Sequence, residues 1–258
     1  MLELYNTPHS TCSQKVRICL AEKALDWQDI PVNLATKEHL SPDYLKINPN
    51  GVVPTLVDDG TIITDSSVIC EYIDEVYQGP EHGPALTPSD PALKATMRSW
   101  MRFIEEVPTV AVRIPSFNMA FLPRFKDLSA EDFHEQQSDI RPLRKQFYRR
   151  MGPKGFAGED FSAALEQIHD TAKRMDASLA QGPWLLGETY SLADVILAPL
   201  LDRMADLGFA DLWDKDFPSV TDWYKRLQDR PAFKRAFFDG TRLSGLHDLS
   251  KKFAGPSC

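Results

Sequence analysis

The chain has 258 residues, enough for one large hydrophobic core or two smaller ones, and its 43% hydrophobic and 26% charged content excludes a disordered polyelectrolyte. A formal charge of −8 excludes nonspecific nucleic-acid binding, which needs a basic face to displace counterions. Cys12, Cys19, Cys70 and Cys258 lack zinc-knuckle or redox-dithiol spacing, so no metal is expected; with no secretory leader and no apolar run of about 20 residues, the expected address is the cytoplasm rather than a membrane.

Leu2 and Leu4 begin a short strand that ends at Asn6-Thr7-Pro8. From Ser10 the pattern becomes helical, with Val16, Leu20 and Ala24 four residues apart. Trp27 to Leu34 alternates weakly as a second strand, and Leu40 to Ile47 is a short helix. The turn Asn48-Pro49-Asn50-Gly51 leads into strands Val52–Val57 and Thr61–Thr64 around Asp58-Asp59-Gly60. A helix from Ser66 to about Tyr77 follows, carrying Val68, Ile69, Tyr72, Ile73 and Val76 on one side. This order is an α/β thioredoxin-like arrangement over residues 1–79; no G-x-G-x-x-G follows the first strand, which excludes a dinucleotide fold.

Residues 80–91 read as a linker rich in proline, and residues 92–258 as an all-α domain. Its expected helices are Leu93–Val112 broken near Pro108, Ala130–Arg150, Ser162–Leu179, a strongly apolar Leu192–Leu207 despite Pro199, Val220–Gln228 and Ala232–Phe238. Arg141, Arg144, Lys145, Arg149 and Arg150 fall on the second of these and are expected to form a solvated face.

Three segments carry possible chemistry. Thr7 to Ser13 lies where the first strand meets the first helix, whose unpaired N–H groups and dipole suit an anion. A thiolate there, with a hydroxyl donating to its sulfur, would have a lowered pKa; the plain alternative is that Ser10 or Thr11 only caps the helix. In the second segment, Pro54 fits either a cis turn that aims the Val53 N–H and C=O at a peptide backbone, or an ordinary trans proline opening a strand. In the third, Asp65 and Ser66 fit either a helix cap or a seat for a carboxylate and an ammonium.

Together, Ser10-x-Cys12-Ser13-x-x-Val16-Arg17, Asn48-Pro49-x-Gly51-x-Val53-Pro54 and Asp65-Ser66-x-x-Ile69-x-x-Tyr72-Ile73 resemble the N-terminal domain of the glutathione transferase superfamily. Tyr190-Ser191-Leu192-Ala193-Asp194 resembles that family's buried capping box in the helical domain. The resemblance implies glutathione as co-substrate: Val53 on its cysteinyl backbone across a cis Pro54, Asp65 and Ser66 on its γ-glutamyl end, and His39 on its glycyl end. Two departures stand out, since many members have Glu at position 65 and some classes have Lys at Val52.

The catalytic position is divided. Ser10 matches the thiol-activating serine of zeta- and theta-like classes, whereas Cys12 resembles the cysteine of a bacterial class that forms mixed disulfides; the favoured residue is Ser10. In the plain reading Cys12 is a small half-buried helix residue. Thr64 to Tyr72 and Met97-Arg98-Ser99-Trp100 further resemble bacterial lignin-degrading β-etherases and related fungal transferases. The expected activity is glutathione transfer to an aromatic electrophile, including β-aryl ethers; the alternatives are a Cys12 oxidoreductase and a non-catalytic transferase-like subunit. The family resemblance implies a homodimer, or a heterodimer with a related subunit.

The mixture of aromatic and polar residues from Ile104 to Phe121 places a second-substrate pocket between that segment and His9. Phe117 and Phe121 are its expected walls, and Arg113 and Asn118 the groups that orient or neutralise a leaving oxygen; alternatively the aromatics only pack the core.

Overall fold

The computed structural model describes residues 1–247 and Leu249; Cys258 and the end of the expected 92–258 domain lie outside the described residues. Strand β1 (Leu2–Asn6) leads into α1 (Thr11–Glu22), β2 (Gln28–Pro31) and the short α2 (Pro42–Ile47). Then come β3 (Thr55–Asp58), β4 (Thr61–Thr64) and α3 (Ser66–Val76). The sheet order is β2-β1-β3-β4, with β1 parallel to β2 and antiparallel to β3, and β3 antiparallel to β4. Leu4 faces Leu56 across β1 and β3, and both are fully buried, so the register is fixed by which side chains reach the core.

Helix α1 packs on α3 within this half, burying Val16, Ile18, Cys19 and Leu20. Its opposite side packs on two later helices, α10 (Leu192–Asp206) and α12 (Pro231–Ala236), so one helix belongs to both halves. Each buried aliphatic side chain of this kind contributes roughly 1.5–3 kcal/mol.

The expected linker is a fastened strap. Leu86 is fully buried, its N–H donates to Asp74 Oδ1 at 2.9 Å, and its carbonyl accepts from Leu192 N at 3.0 Å. Lys23 Nζ holds both Asp74 Oδ1 at 3.0 Å and the Pro84 carbonyl at 3.2 Å. Composition marks the break between the two halves, but buried polar partners hold the segment in place.

In the helical half, α4 (Pro91–Glu106) ends before Pro108, as expected, and α5 (Pro108–Ala111) and α6 (Arg113–Ser116) continue the bent path into a π-helical turn at Phe117–Phe121. The expected helix Ala130–Arg150 is not continuous. It divides into α7 (Ala130–Phe133), a π-helical turn at His134–Ser138, irregular chain around Pro142, and α8 (Lys145–Met151). Pro142 has no N–H for a helical hydrogen bond and disfavours helix in the residue before it. Helices α9 (Gly158–Leu179), α10 and α11 (Pro218–Asp229), with α12, complete this half close to their expected bounds. Among the described residues no helix is long and apolar enough to cross a membrane.

Candidate active site

The end of β1 and the start of α1 meet at Thr7–Ser13. The Ser10 N–H donates to the Thr7 carbonyl at 3.0 Å, and the Ser10 hydroxyl oxygen accepts from Ser13 N at 3.3 Å. Ser10 is thus the N-cap of α1, yet its own hydroxyl proton is still available to a ligand. An N–H donated to that oxygen polarises the hydroxyl and makes it a better donor. Cys12 is half-buried in the first turn of α1 and faces the same space.

Two buried arginines fix this loop. Arg17 donates from Nη1 to Asn6 Oδ1 and from Nη2 to the Pro8 carbonyl, both at 2.6 Å, and from Nε to Ala236 O at 3.2 Å. Arg203, from α10, donates to the His9 carbonyl and at 3.4 Å to Ser116 Oγ. Burial pushes both guanidinium groups down to about 10.

The floor of the site is the Asn48–Pro54 turn. The Val53–Pro54 peptide is cis. Tyr44 Oη and Asn48 Nδ2 donate to the Val52 carbonyl at 2.7 and 3.0 Å, while Val53 has no hydrogen-bond partner of its own among the described residues. Gly51 has φ +58°, a backbone region that favours glycine, and a Cβ there would lie 2.8 Å from Leu40 Cδ2, where the turn closes on His39 and Leu40. His39 is buried and lines the site; its Nδ1 has no partner among the described residues. Burial, with Arg141 and Lys37 nearby, pushes His39 down to about 4, and burial with Arg203 and Arg124 does the same to His9. Both rings are therefore neutral at neutral pH. An unpaired Val53 backbone beside an orphaned buried ring nitrogen fits an extended peptide ending in a carboxylate.

Above this floor lies a cavity of about 170 Å³ that brings together His9, Ser10, Cys12, His39 and Val53 with Arg113, Phe117 and Phe121. The Phe117 ring lies 5.1 Å from Phe121, 4.9 Å from Phe147 and 5.7 Å from Tyr148, and His9 is 5.7 Å from Phe121. These are edge and tilted aromatic contacts suited to a flat ligand. Asn118 does not join them. Its amide is buried and exchanges two hydrogen bonds with the Phe156 backbone, at 3.1 and 2.9 Å, so the expected role in orienting a leaving oxygen is corrected to a structural one.

Asp65 and Ser66 stand at the start of α3, outside the cavity lining. Asp65 Oδ1 accepts from Ser67 N at 3.0 Å and Val68 N at 3.3 Å, leaving its second oxygen for a ligand. Behind them Glu105 accepts from Lys15 Nζ at 2.5 Å and Ser67 Oγ at 2.6 Å. Burial raises the Glu105 carboxyl, but Lys15, Ser67 and Arg113 together hold it below the usual range.

The expected solvated basic face is also corrected. Arg149 and Arg150 are exposed and pair with Asp139 and Asp160, but Arg141 is buried over the Tyr148 ring and Arg144 lines the cavity. Arg144, Phe147, Tyr148 and Arg203 also line the cavity, although no sequence motif marks them. Pro142, inside the expected helix, was the available signal for Arg144.

A thioredoxin-like half offering a peptide floor and a helix-capping hydroxyl, roofed by an aromatic cavity from a helical half, defines a transferase of the glutathione-using type. Family models for the glutathione S-transferase N-terminal domain and C-terminal domain match residues 9–76 and 158–226. The chain belongs to the glutathione S-transferase family and is an enzyme of that family. It is 30% identical to Protein LigF of Sphingobium sp. strain SYK-6 over 98% of this chain and 99% of that one. It is 33% identical to the maleylacetoacetate isomerase of Pseudomonas aeruginosa, covering 91% and 95% of the two chains. The crystal structure of beta-etherase LigF superposes with a TM-score of 0.81 at 30% identity, over 92% of this chain and 98% of that one. A glutathione transferase homolog from Sulfitobacter with bound glutathione gives 0.64 at 27% identity, over 91% and 95%.

Proposed function

We propose that the enzyme ionises the thiol of glutathione at Ser10 and transfers it to an aromatic electrophile, with cleavage of β-aryl ethers as the leading reaction. The observation that carries this reading is the Ser10 hydroxyl at a helix N-terminus, in the same cavity as Phe117, Phe121, Phe147 and Tyr148. Glutathione lies extended on Val53 and Pro54, with its glycyl carboxylate toward His39 and its γ-glutamyl end toward Asp65 and Ser66. The thiol releases its proton to solvent, and the Ser10 O–H donates to the resulting thiolate. Sulfur then attacks the carbon bearing the ether oxygen: a C–S bond forms, the C–O bond breaks, and the aryloxide leaves and takes up a proton. The similarity to the beta-etherase LigF of Sphingobium, whose structure superposes over most of the chain, supports this choice of electrophile.

The test is turnover of a β-aryl ether and an aryl halide by the purified protein with glutathione. Phe117→Ala or Arg113→Ala should lower kcat/KM for a bulky aromatic substrate at least about tenfold, as expected for loss of a pocket contact. Glutathione affinity should stay within about twofold. Unchanged aromatic turnover in both variants, with folding intact, would contradict the pocket assignment.

A second reading is favoured by one feature: Cys12 shares the cavity and lies in the first turn of α1. As a thiolate it would attack a glutathione mixed disulfide, releasing one thiolate and keeping glutathione on Cys12 until a second glutathione displaces it. Cys12→Ser should abolish such reduction; activity surviving that change eliminates this reading.

The enzyme pairs as a dimer in this proposal. Exposed Ile62 on the edge strand β4 and exposed Val68 and Val76 on α3 support an apolar contact there. Sedimentation at micromolar concentration should return twice the 29.2 kDa of one chain; the mass of a single chain would contradict it.

A further inference from the structure

The net charge of this chain is −8, yet the described residues lining the cavity include Arg113, Arg141, Arg144 and Arg203 and no carboxylate. Two of the four are already engaged. Arg203 holds the His9 carbonyl and Ser116, while Arg141 donates to the Gln137 carbonyl and lies 3.9 Å above the Tyr148 ring. Arg113 and Arg144 are half-buried, and their guanidinium groups have neither a hydrogen bond nor an ion pair among the described residues. Burial, and after it the charge of Arg113, pushes Arg144 down to about 10. Glu105, whose charge acts on both arginines, is occupied by Lys15 and Ser67.

Two like charges at the wall of a partly desolvated cavity repel, and each carries unmade donors; an anion between them removes both penalties. The aromatic rings beside them add the requirement of a flat apolar body. The charged ends of glutathione are assigned to the other half of the molecule, at His39 and at the start of α3, which leaves this pair free of glutathione.

We propose that Arg113 and Arg144 form an anion seat for the second substrate, which is therefore an aromatic electrophile bearing a carboxylate. The guanidinium groups grip the carboxylate by charge-assisted hydrogen bonds, and Phe117, Phe147 and Tyr148 flank the ring. The seat rests on the transferase reading for its chemical purpose, but its existence is tested by binding alone.

The experiment is calorimetric titration of the full chain, saturated with unreactive S-methylglutathione, with 1-naphthoate and with its neutral counterpart 1-naphthamide. Naphthoate should bind at least about tenfold more tightly, since loss of the charge leaves buried donors unpaired. That ratio should fall to about two or less in Arg113→Gln/Arg144→Gln, with a thermal midpoint that shows an intact fold, while Arg144→Lys keeps an intermediate preference. Equal affinities in the wild type, or a preference that survives the double variant, overturn the proposal. So does expulsion of naphthoate by S-methylglutathione, which would assign the arginines to glutathione's own carboxylates. Should the double variant fail to fold, the wild-type ratio and Arg144→Lys decide. Failure to turn over any electrophile would end the transferase reading without altering this comparison.

Discussion

Replacing Ser10 with alanine should lower glutathione transfer by roughly 10²-fold or more at neutral pH, the magnitude typical of losing one pre-aimed donor to a reacting anion. The Ser13 N–H bonded to the Ser10 oxygen sets the hydroxyl in place before the substrate arrives. Stability should fall by only about 1 kcal/mol, the usual worth of an N-cap, so the kinetic loss cannot be attributed to unfolding. Ser10→Thr keeps both the cap and the hydroxyl and should recover most of the rate. Initial rates with an aryl halide, alongside urea unfolding, separate the two effects. A loss below about threefold in Ser10→Ala would remove Ser10 from the mechanism.

The largest effect on stability belongs to Asp194 in the helical half. Its carboxyl is fully buried; Oδ1 accepts from Leu185 N at 3.0 Å and Trp223 Nε1 at 2.8 Å, and Oδ2 from Ser191 N at 3.0 Å and Ser191 Oγ at 3.3 Å. The Ser191 side chain caps α10 in return, so one residue ties the helix start, the Leu185 loop and α11 together. Asp194→Ala orphans several buried donors at once and should cost about 4 kcal/mol, at the upper end for single substitutions. Burial outweighs the four donors and pushes the carboxyl up to about 6 from an ordinary 3.8. A raised folded-state pKa gives a contribution that is full below about 4 and is lost as pH rises through about 6. The cost of Asp194→Ala should therefore be about 1 kcal/mol smaller at pH 8 than at pH 5. Urea unfolding at the two pH values measures this; a variant as stable as the wild type would refute the keystone role.

Much of this architecture is legible in the sequence where its causes are local. Ser10, Asp65 and Ser191 cap the helices at which they were placed, and the break before Pro108 follows from its missing N–H. The remainder depends on partners far away in the chain. The Asn118 amide looks available until Phe156, 38 residues later, takes both of its hydrogen bonds. The loop before Ser10 is held by Arg203, 194 residues away, which no periodicity could reveal. Leu86 reads as part of a spacer because its partners, Asp74 and Leu192, flank it from both halves. Arg141 and Arg144 share the composition of a wet helix face; only the interruption at Pro142 turns them toward the aromatic wall.

The central claim is that this site ionises the thiol of bound glutathione. Ultraviolet titration of the enzyme–glutathione complex, following thiolate absorbance against pH, tests it most directly. A thiol that ordinarily titrates near 8.5 should do so about two units lower when bound, and Ser10→Ala should return it toward its free value. A bound thiol that titrates as it does in water, or a lowered value that survives Ser10→Ala and is lost in Cys12→Ser, would contradict the account.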